Sequence, residues 1–329
     1  MRILNVLPTG GMGWSGGIRP TLRSLADSWL GARHTFSAAG VSELSKCLQD
    51  INPDLIVWHG ASSWRELPRF QAHRRRRQIL VEHHYCAGFE RHNVPSILRF
   101  RTMLRLCYSA MEKVVAVSAA QRRWMQEARL VPPCRVDLLL SSRPLDPFLS
   151  LASPPATASR PLTLLAYGRW TPQKGFDRLL RAVRLLSAAP LRLLVAGDGP
   201  QAAELIALAD GDPRIELLGS CNNITALMAQ VDAVVIPSRW EPWGNVCLEA
   251  RAAGRPVLVS DVDGLPEQVQ GSGLVMRGES DHALAVSLDS LLTATAAQRR
   301  CWGLAGRVSA AGSWECYLND WFRLLELDV

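Results

Sequence analysis

Two glutamates flank a predicted helix start in the segment PSRWEPWGNVCLEARAAG, residues 237–254. Glu241 lies in the loop before this helix, and Glu249 lies on the helix, with seven residues between them. The first amides of a helix lack intrahelical acceptors and carry the positive end of its dipole, so they suit a phosphate. Gly244 stands at the helix start, where a ligand can approach the backbone closely. Glu249 is placed to accept hydrogen bonds from a diol, and Glu241 from a second hydroxylated group. The competing interpretation is two solvated glutamates.

A pair of basic residues suits a diphosphate. Arg169 and Lys174 lie in the segment GRWTPQKGF, between an apolar run and a helical pattern. Arginine can neutralise a phosphate through two parallel hydrogen bonds, and lysine acts as a point charge. Only three of the 37 basic residues are lysines, and a lysine near a helix start opposes the helix dipole. Its presence there favours a bound anion over the alternative of a solvated loop.

Two glycine-rich turns carry weaker signals. The segment AGDGP (196–200) ends an apolar run, and by itself it predicts only a tight turn. The segment LPTGGMGWSGGIRPTL (7–22) places Gly16 and Gly17 where a helix should start, but it does not fit the G-x-G-x-x-G pattern cleanly. No acidic residue ends the next apolar segment, residues 34–40, so a nicotinamide cofactor is disfavoured.

Histidines follow another predicted strand, in VEHHYCAGFERH (81–92). Glu82, His83 and His84 fall at its carboxyl end, where ligands bind in open α/β sheets. A histidine there can donate a hydrogen bond to a sugar hydroxyl or act as an acid or base near neutral pH. Two loop histidines without a function are the alternative. A metal site needs at least three convergent ligands, so none is expected here.

These residues require a scaffold of alternating strands and helices. Short apolar runs separated by helical patterns predict parallel sheets covered on both faces. The predicted strands lie at 2–7, 34–40, 54–60, 78–84, 112–118, 162–168, 191–199, 214–219, 232–238 and 256–261. A stretch rich in Pro, Ser and Ala, residues 141–161, predicts an interdomain linker. Two doubly wound domains joined in this way would create a cleft for the chemistry.

Length and composition fit two ordinary globular domains. The chain has 329 residues, 48% of them hydrophobic and 20% charged, which excludes wholesale disorder. No run reaches the ~18 apolar residues of a membrane-spanning helix, and the opening MRILNVLPTGG lacks the pattern of a secretory signal. Eight scattered cysteines without a C-x-x-C pair fit reduced thiols. Together these features predict a cytoplasmic protein.

Positive charge is concentrated in the first half of the chain. Residues 1–150 hold 21 basic and 11 acidic side chains, and residues 151–329 hold 16 and 19. The segments HRRRR (73–77) and RFRTMLR (99–105) stand out. They suggest peripheral association with the anionic inner face of a membrane, or else a solvated arginine-rich surface. No nucleic-acid motif accompanies the charge, so nucleic acid is not an expected partner.

Taken together and in order, the motifs resemble those of the retaining glycosyltransferases of family 4, which have the GT-B fold. The resemblance rests on GRW-x3-KG, GDGP and PS-x2-E-P-W-G-x3-LEA-x3-G-x-PV-x2-SD, and it is strong over residues 162–270. The first half matches weakly, through its GG pair, a histidine after a strand and VVAVSAAQRR (114–123). The final helices, with Trp314, resemble the family's tail that returns to the first domain.

The resemblance implies an α/β fold with two Rossmann-like, doubly wound domains facing a central cleft. Residues 1–145 would bind the acceptor, 146–161 would be the linker, 162–310 would bind the nucleotide-sugar donor, and 311–329 would pack back on the first domain. Donor binding is implied for Arg169, Lys174, Gly244, Asn245, Val246, Glu249, Gly16 and Gly17. Catalytic positions are implied for Glu241 and for His83 or His84, between which the sequence does not decide.

The reaction implied is sugar transfer from a nucleotide-diphosphate sugar to a saccharide or glycolipid acceptor, with cell-surface polysaccharide biosynthesis as its setting. No cofactor and no metal are implied, because the two cations and the helix start can stabilise the leaving diphosphate. Two alternatives remain: a nucleotide-sugar epimerase on the same fold, and a catalytically silent binding protein.

Overall fold

The computed structural model describes residues 1–8, 18–153, 161–187 and 189–326. The chain divides into two compact units. Unit 1 comprises Met1–Pro144 together with Trp314–Val329, and unit 2 comprises Leu145–Ser313. Each unit is built on one six-stranded sheet.

The sheet of unit 1 is parallel throughout. Its strands are β1 (Arg2–Leu7), β2 (Thr35–Gly40), β3 (Leu55–Trp58), β4 (Gln78–Glu82), β5 (Lys113–Ala116) and β6 (Val136–Leu138). They lie in the order β2-β1-β3-β4-β5-β6, so the direction of winding reverses between β1 and β3. Ligands of doubly wound sheets bind beyond the carboxyl ends of the strands at such a reversal. The helices are α1 (Ile18–Ala26), α2 (Leu44–Asp50), α3 (Leu67–Ala72), α4 (Ala87–Asn93), α5 (Ile97–Ser109) and α6 (Ala119–Glu127).

Unit 2 repeats this plan with its reversal between β7 and β10. Its strands are β7 (Leu162–Tyr167), β8 (Leu191–Ala196), β9 (Ile215–Gly219), β10 (Ala233–Ile236), β11 (Val257–Val259) and β12 (Gly273–Val275). All pairs are parallel, in the order β12-β11-β10-β7-β8-β9. The helices are α7 (Asp146–Leu149), α8 (Phe176–Leu185), α9 (Ala202–Ala209), α10 (Ile224–Met228), α11 (Asn245–Ala252), α12 (Leu265–Val269), α13 (Asp281–Thr293) and α14 (Ala296–Ala311). The last helix, α15 (Ser313–Glu326), lies almost wholly in unit 1.

Both faces of the unit 2 sheet are covered, as its apolar strands predict. Leu164 and Ala166 of β7 pack in one buried cluster, and their neighbours Leu165 and Tyr167 pack in a second cluster. Successive side chains of a strand point to opposite faces of the sheet, so a strand that is apolar at every position needs other elements packed on both faces. The prediction of doubly wound α/β sheets is therefore confirmed.

Strands β6 and β12 were not predicted from the sequence, nor was a helix within the predicted linker. Strands β6 and β12 stand at the outer edges of their sheets, and most of their side chains are only partly buried, so no run of fully buried apolar residues marks them. Within the stretch predicted as a linker, α7 forms a short helix whose Phe148 is buried in the core of unit 2. No helix in the described ranges has the length and apolarity needed to cross a bilayer.

A buried arginine fastens the first residues of unit 2 to its core. Arg255 is 1% exposed, and its guanidinium donates to the carbonyls of Met228, Ala152 and Ala253. Burial lowers its pKa to about 10, so the group stays charged at neutral pH. The charge is tolerated because several carbonyl oxygens surround it.

We expect Arg255→Leu to lower the free energy of unfolding by about 3 kcal/mol or more, because several buried carbonyls lose a charged donor. Chemical denaturation monitored by circular dichroism measures this change. Arg192→Leu is the matched control, since Arg192 pairs with Glu216 on an exposed surface; it should cost less than about 1 kcal/mol. Equal losses in the two variants would contradict this assignment.

Candidate functional site

The loops after β7 and β10 lie side by side at the reversal in unit 2. The backbone amide of Arg239 donates to the carbonyl of Gln173 at 2.8 Å, and its guanidinium donates to the carbonyl of Pro172 at 2.8 Å. The Gln173 side chain donates in return to the carbonyl of Trp240 at 3.2 Å. These bonds join two loops that are more than 60 residues apart in the sequence.

A carboxylate beneath these loops reinforces the junction. Asp177 accepts two hydrogen bonds of 2.7 Å from Arg239 and a third, of 2.5 Å, from Arg181. Burial alone would raise the pKa of Asp177, but the hydrogen bonds and charges of the two arginines outweigh it and hold the pKa at about 2. The carboxylate therefore stays ionised, and the loops stay joined, throughout the physiological pH range.

An ion pair between Lys174 and Glu241 forms the centre of the site. Lys174 Nζ contacts Glu241 Oε2, and the side chains are 18% and 10% exposed. Ser238 also donates to this carboxylate, at 3.3 Å, and the backbone amide of Glu241 donates to Asp263 at 3.0 Å. Because an ammonium has three hydrogen-bond donors, Lys174 can bind Glu241 and still offer donors to an anion.

The start of α11 adjoins this ion pair. Gly244 caps the helix with φ +95°, and a Cβ atom there would come within 2.7 Å of Leu265 and 3.0 Å of the Glu241 side chain. Only glycine fits this conformation beside Glu241. Glycine provides no side-chain cap, so the first amides of the helix, those of Asn245 and Val246, have no acceptor from the cap residue's side chain. Asn245 Oδ1 is buried and has no hydrogen-bond partner among the described residues.

Glu249 lies farther along α11 and is held by the end of β7. Its side chain is buried, and the Tyr167 hydroxyl donates to Glu249 Oε2. The structure thus brings Lys174, Glu241, Gly244 and Glu249 to neighbouring positions around one helix start. The roles that the sequence predicts for them remain predictions.

Arg169 lies in a loop whose shape depends on glycine. A Cβ atom on Gly197 would fall 1.9 Å from the carbonyl oxygen of Gly168, so the turns after β7 and β8 touch. The amide of Trp170 donates to the carbonyl of Asp198 at 2.8 Å, which joins the GRW and GDGP motifs. Arg169 itself is exposed, and its side chain makes no hydrogen bond or ion pair with any residue in the described ranges.

In unit 1, the histidine that follows β4 belongs to a chain of polar groups. His83 Nε2 lies 3.0 Å from His59 Nδ1, and the two rings stack with centroids 5.3 Å apart. His59 Nε2 lies 2.9 Å from Asn5 Oδ1, and Asn5 Nδ2 donates to the carbonyl of Ser37 at 3.2 Å. His84 packs edge-on against His83. The chain runs from the middle of β1 to the carboxyl ends of β3 and β4.

Glu82 occupies a different place from the one expected. The sequence predicts it beside His83 and His84 at the ligand-facing end of the strand, but its carboxylate is fully buried. The carboxylate accepts the amides of His84 and Tyr85 and the Tyr108 hydroxyl. Burial raises its pKa to about 7, although these donors act in the opposite direction. Glu82 therefore shapes the turn that carries the histidines.

Sequence reasoning missed three polar residues of these sites. His59 follows β3 as His83 follows β4, so the same rule would have found it, but Asn5 lies within β1, where that rule does not apply. Tyr167 ends β7, and its link to Glu249 spans 82 positions, which no local pattern reveals. Gly16 and Gly17, predicted to approach the donor phosphates, lie outside the described residues. Within the described ranges, no three metal-ligating side chains come together.

Residues 161–294 match the family model of the glycosyl transferases group 1. A lipopolysaccharide core biosynthesis glycosyltransferase of Rhizobium meliloti is 35% identical over 163 residues, which cover 48% of this chain and 45% of that protein. A D-inositol 3-phosphate glycosyltransferase of Rhodococcus erythropolis is 31% identical over 229 residues, or 62% of this chain and 51% of that protein. The matched part of the chain thus spans about half the length of these relatives.

Solved structures match nearly the whole chain. A sucrose-phosphate synthase from Thermosynechococcus elongatus superposes with a TM-score of 0.78 at 19% identity, covering 98% of both chains. HepE from Anabaena, solved in complex with UDP and glucose, gives a TM-score of 0.77 at 18% identity, covering 98% of this chain and 99% of that one. The fold is GT-B. Within this GT-B chain, the loops after β7 and β10 lie in the segment that the family model matches.

The buried carboxyl of Glu82 should make stability depend on pH. Its pKa in the folded protein, about 7, exceeds the ordinary value of 4.5, so the folded state retains a proton that the unfolded chain releases between these values. The contribution of Glu82 to the free energy of unfolding should therefore fall by about 3 kcal/mol as the pH rises from 4.5 to 8. The difference between the protein and its Glu82→Gln variant, measured by denaturation across this range, isolates this contribution.

Glu112→Gln provides the control, because Glu112 forms a partly exposed ion pair with Arg77 and should leave the pH profile unchanged. Parallel stability profiles for the protein and the Glu82→Gln variant would contradict the assignment of a buried, proton-retaining carboxyl.

Proposed function

We propose that the protein is a glycosyltransferase that moves a sugar from a nucleotide-diphosphate sugar to a saccharide or glycolipid acceptor. The observation that carries this proposal is the Lys174–Glu241 pair at the uncapped start of α11, with Glu249 buried on the same helix. Cations and helix amides suit a diphosphate, and carboxylates suit hydroxyl groups. The match of residues 161–294 to a glycosyltransferase family model supports the same conclusion.

Within this proposal, each side chain has a distinct task. Lys174, Arg169 and the amides of Asn245 and Val246 stabilise the charge that develops on the leaving diphosphate. Glu249, held by Tyr167, accepts hydrogen bonds from the ribose. These groups act together without a metal ion or other cofactor.

Glu241 faces the donor sugar in this scheme and also holds Lys174 in place. Asn245 Oδ1, which is buried without a hydrogen-bond partner among the described residues, offers a further acceptor for a hydroxyl. We assign acceptor recognition to unit 1 and propose that transfer retains the configuration of the sugar, as the family resemblance implies.

Polysaccharide biosynthesis is the proposed setting, because the Rhizobium meliloti relative is named for lipopolysaccharide core biosynthesis. The epimerase alternative has no support, since the two relatives reported above are named as glycosyltransferases. A panel of UDP-glucose, UDP-galactose, UDP-N-acetylglucosamine, ADP-glucose and GDP-mannose tests the choice of reaction. Release of the nucleoside diphosphate, by transfer or by slow hydrolysis of the donor, supports a glycosyltransferase. Conversion of one nucleotide sugar into another would contradict this proposal.

Lys174→Ala and Glu249→Ala should each weaken binding of the donor selected from this panel by about tenfold or more, because each removes a charged hydrogen-bonding partner. Isothermal titration calorimetry measures the effect. Lys113→Ala is a closely matched control: Lys113 is 19% exposed and pairs with Asp137 in unit 1, so its loss should leave donor affinity unchanged. Glu216→Gln is the control for the loss of a carboxylate, because Glu216 pairs with Arg192 on an exposed surface; it should leave donor affinity unchanged. Full donor affinity in both Lys174→Ala and Glu249→Ala would show that the site is assigned wrongly.

We also propose peripheral binding to the anionic inner face of a membrane, with the protein otherwise cytoplasmic. The support is a surface at the start of α5 that combines apolar and basic side chains. Ile97 is 51% exposed and Leu98 is 76% exposed, and Arg99 is exposed beside them. Exposed apolar residues next to cations are typical of interfacial binding.

Leu98→Glu should reduce flotation with liposomes that contain anionic lipid at low salt, since it removes apolar area and adds a repelled charge. Val308→Glu is the control, because Val308 is 78% exposed on unit 2 and should leave flotation unchanged. The absence of any liposome binding by the parent protein at low salt would refute membrane association.

A further inference from the structure

We propose that Asn5 and His59 are positioning residues that fix the tautomer of His83, so that His83 presents Nδ1 as a hydrogen-bond acceptor to a sugar hydroxyl. This inference rests on the proposed function for the identity of the ligand. It also resolves which of the two adjacent histidines, His83 or His84, takes the ligand-facing role.

The orientation of Asn5 determines the proton on His59. Asn5 Nδ2 donates to the carbonyl of Ser37, so its Oδ1 is the atom that faces His59 Nε2 at 2.9 Å. A carbonyl oxygen can only accept, and His59 Nε2 must therefore carry a hydrogen. Burial lowers the pKa of His59 to about 3, so its ring is neutral and its Nδ1 has a lone pair instead of a proton.

The proton on His83 follows from that lone pair. His59 Nδ1 lies 3.0 Å from His83 Nε2, so His83 Nε2 must donate. Burial, with smaller contributions from His59 and His84, lowers the pKa of His83 well below its ordinary value, and its ring is neutral as well. His83 Nδ1 is then an acceptor, and it makes no hydrogen bond to any residue that the structure describes. A neutral acceptor favours a hydroxyl group over a phosphate.

His84 does not offer the same opportunity. Its Nε2 atom is buried, and its backbone amide is bonded to the buried carboxylate of Glu82. The titratable groups around His83 are His59, His84, Glu82 and Tyr85. The Glu82 carboxylate is bonded to the amides of His84 and Tyr85 and to the Tyr108 hydroxyl. The hydrogen bonds that begin at Asn5 therefore determine which nitrogen of His83 carries the proton.

Nuclear magnetic resonance tests the tautomers directly, without a ligand. In the full chain labelled with ¹⁵N-histidine, long-range ¹H–¹⁵N spectra distinguish the two neutral forms and the cation. We expect His59 and His83 to carry their proton on Nε2 from pH 6 to 8, with His59→Asn and His83→Asn used for assignment. A proton on His83 Nδ1 in this range would overturn the proposal.

Variants test whether the chain serves ligand binding. His83→Ala should weaken binding of the selected nucleotide sugar by about five- to tenfold, the loss expected for one hydrogen bond, and leave affinity for the nucleoside diphosphate unchanged. A loss confined to the acceptor KM would assign the contact to the acceptor sugar instead, which still supports the proposal. Unchanged values for every substrate would overturn it.

The positioning role predicts a different result for two substitutions of His59. His59→Leu removes the acceptor for His83 Nε2 and should cause a severalfold loss in kcat/KM, because the His83 proton is then free to move to Nδ1. Asn at this position can accept the same hydrogen bond, so His59→Asn should restore most of the activity and keep the His83 proton on Nε2 in the nuclear magnetic resonance spectra. His73→Gln, a change elsewhere in unit 1, is the control for loss of a histidine.

Equal losses in His59→Leu and His59→Asn, with the His83 proton on Nε2 in both variants, would show that His59 is merely structural and would overturn the positioning role. A parent protein that binds no nucleotide sugar would overturn the proposed function instead. The tautomers measured by nuclear magnetic resonance would still show whether Asn5 and His59 fix the proton on His83. Failure of the positioning role can therefore be distinguished from failure of the proposed function.

Discussion

The ion pair between Lys174 and Glu241 is the interaction on which the candidate site depends. It connects the loops after β7 and β10 at the point where the winding of the unit 2 sheet reverses. Two partly buried charges in such a place are stabilising only if further hydrogen bonds satisfy them. Ser238 bonds to the Glu241 carboxylate and Asp263 to the Glu241 amide, while Asp177 keeps the neighbouring loops joined. The pair is thus held in place before any ligand binds, which is the preorganisation that charge stabilisation requires.

The two units present different electrostatic environments. Unit 2 surrounds its helix start with a lysine and carboxylates, which suits a charged diphosphate and its attached hydroxyl groups. Unit 1 instead aligns an amide and two neutral imidazoles, and burial keeps both rings uncharged near neutral pH. Neutral groups of this kind distinguish hydroxyl groups by hydrogen-bond direction instead of by charge.

The sequence predicts the parts of the fold and the site that rest on local patterns. Ten of the strands are apparent as apolar runs, and the residues of unit 2 that flank β7 and β10 follow from glycines, cations and carboxylates spaced within single loops. The strands β6 and β12 escape prediction because they stand at sheet edges, where most of their side chains are only partly buried and form no continuous apolar run. The carboxylate of Glu82, at the end of β4, points inward because it bonds to the hydroxyl of Tyr108 on α5, 26 positions away. The contact between His59 and His83 likewise joins residues 24 positions apart. Such pairings arise only once the sheet is assembled.

A crystal structure of the full chain with its nucleotide-sugar donor, or with the nucleoside diphosphate product, tests directly whether the diphosphate binds at the Lys174–Glu241 pair. We expect diphosphate oxygens within hydrogen-bond distance of Lys174 Nζ and of the amides at the start of α11, with the ribose hydroxyls on Glu249. A diphosphate bound away from Lys174 and from that helix start would contradict this expectation.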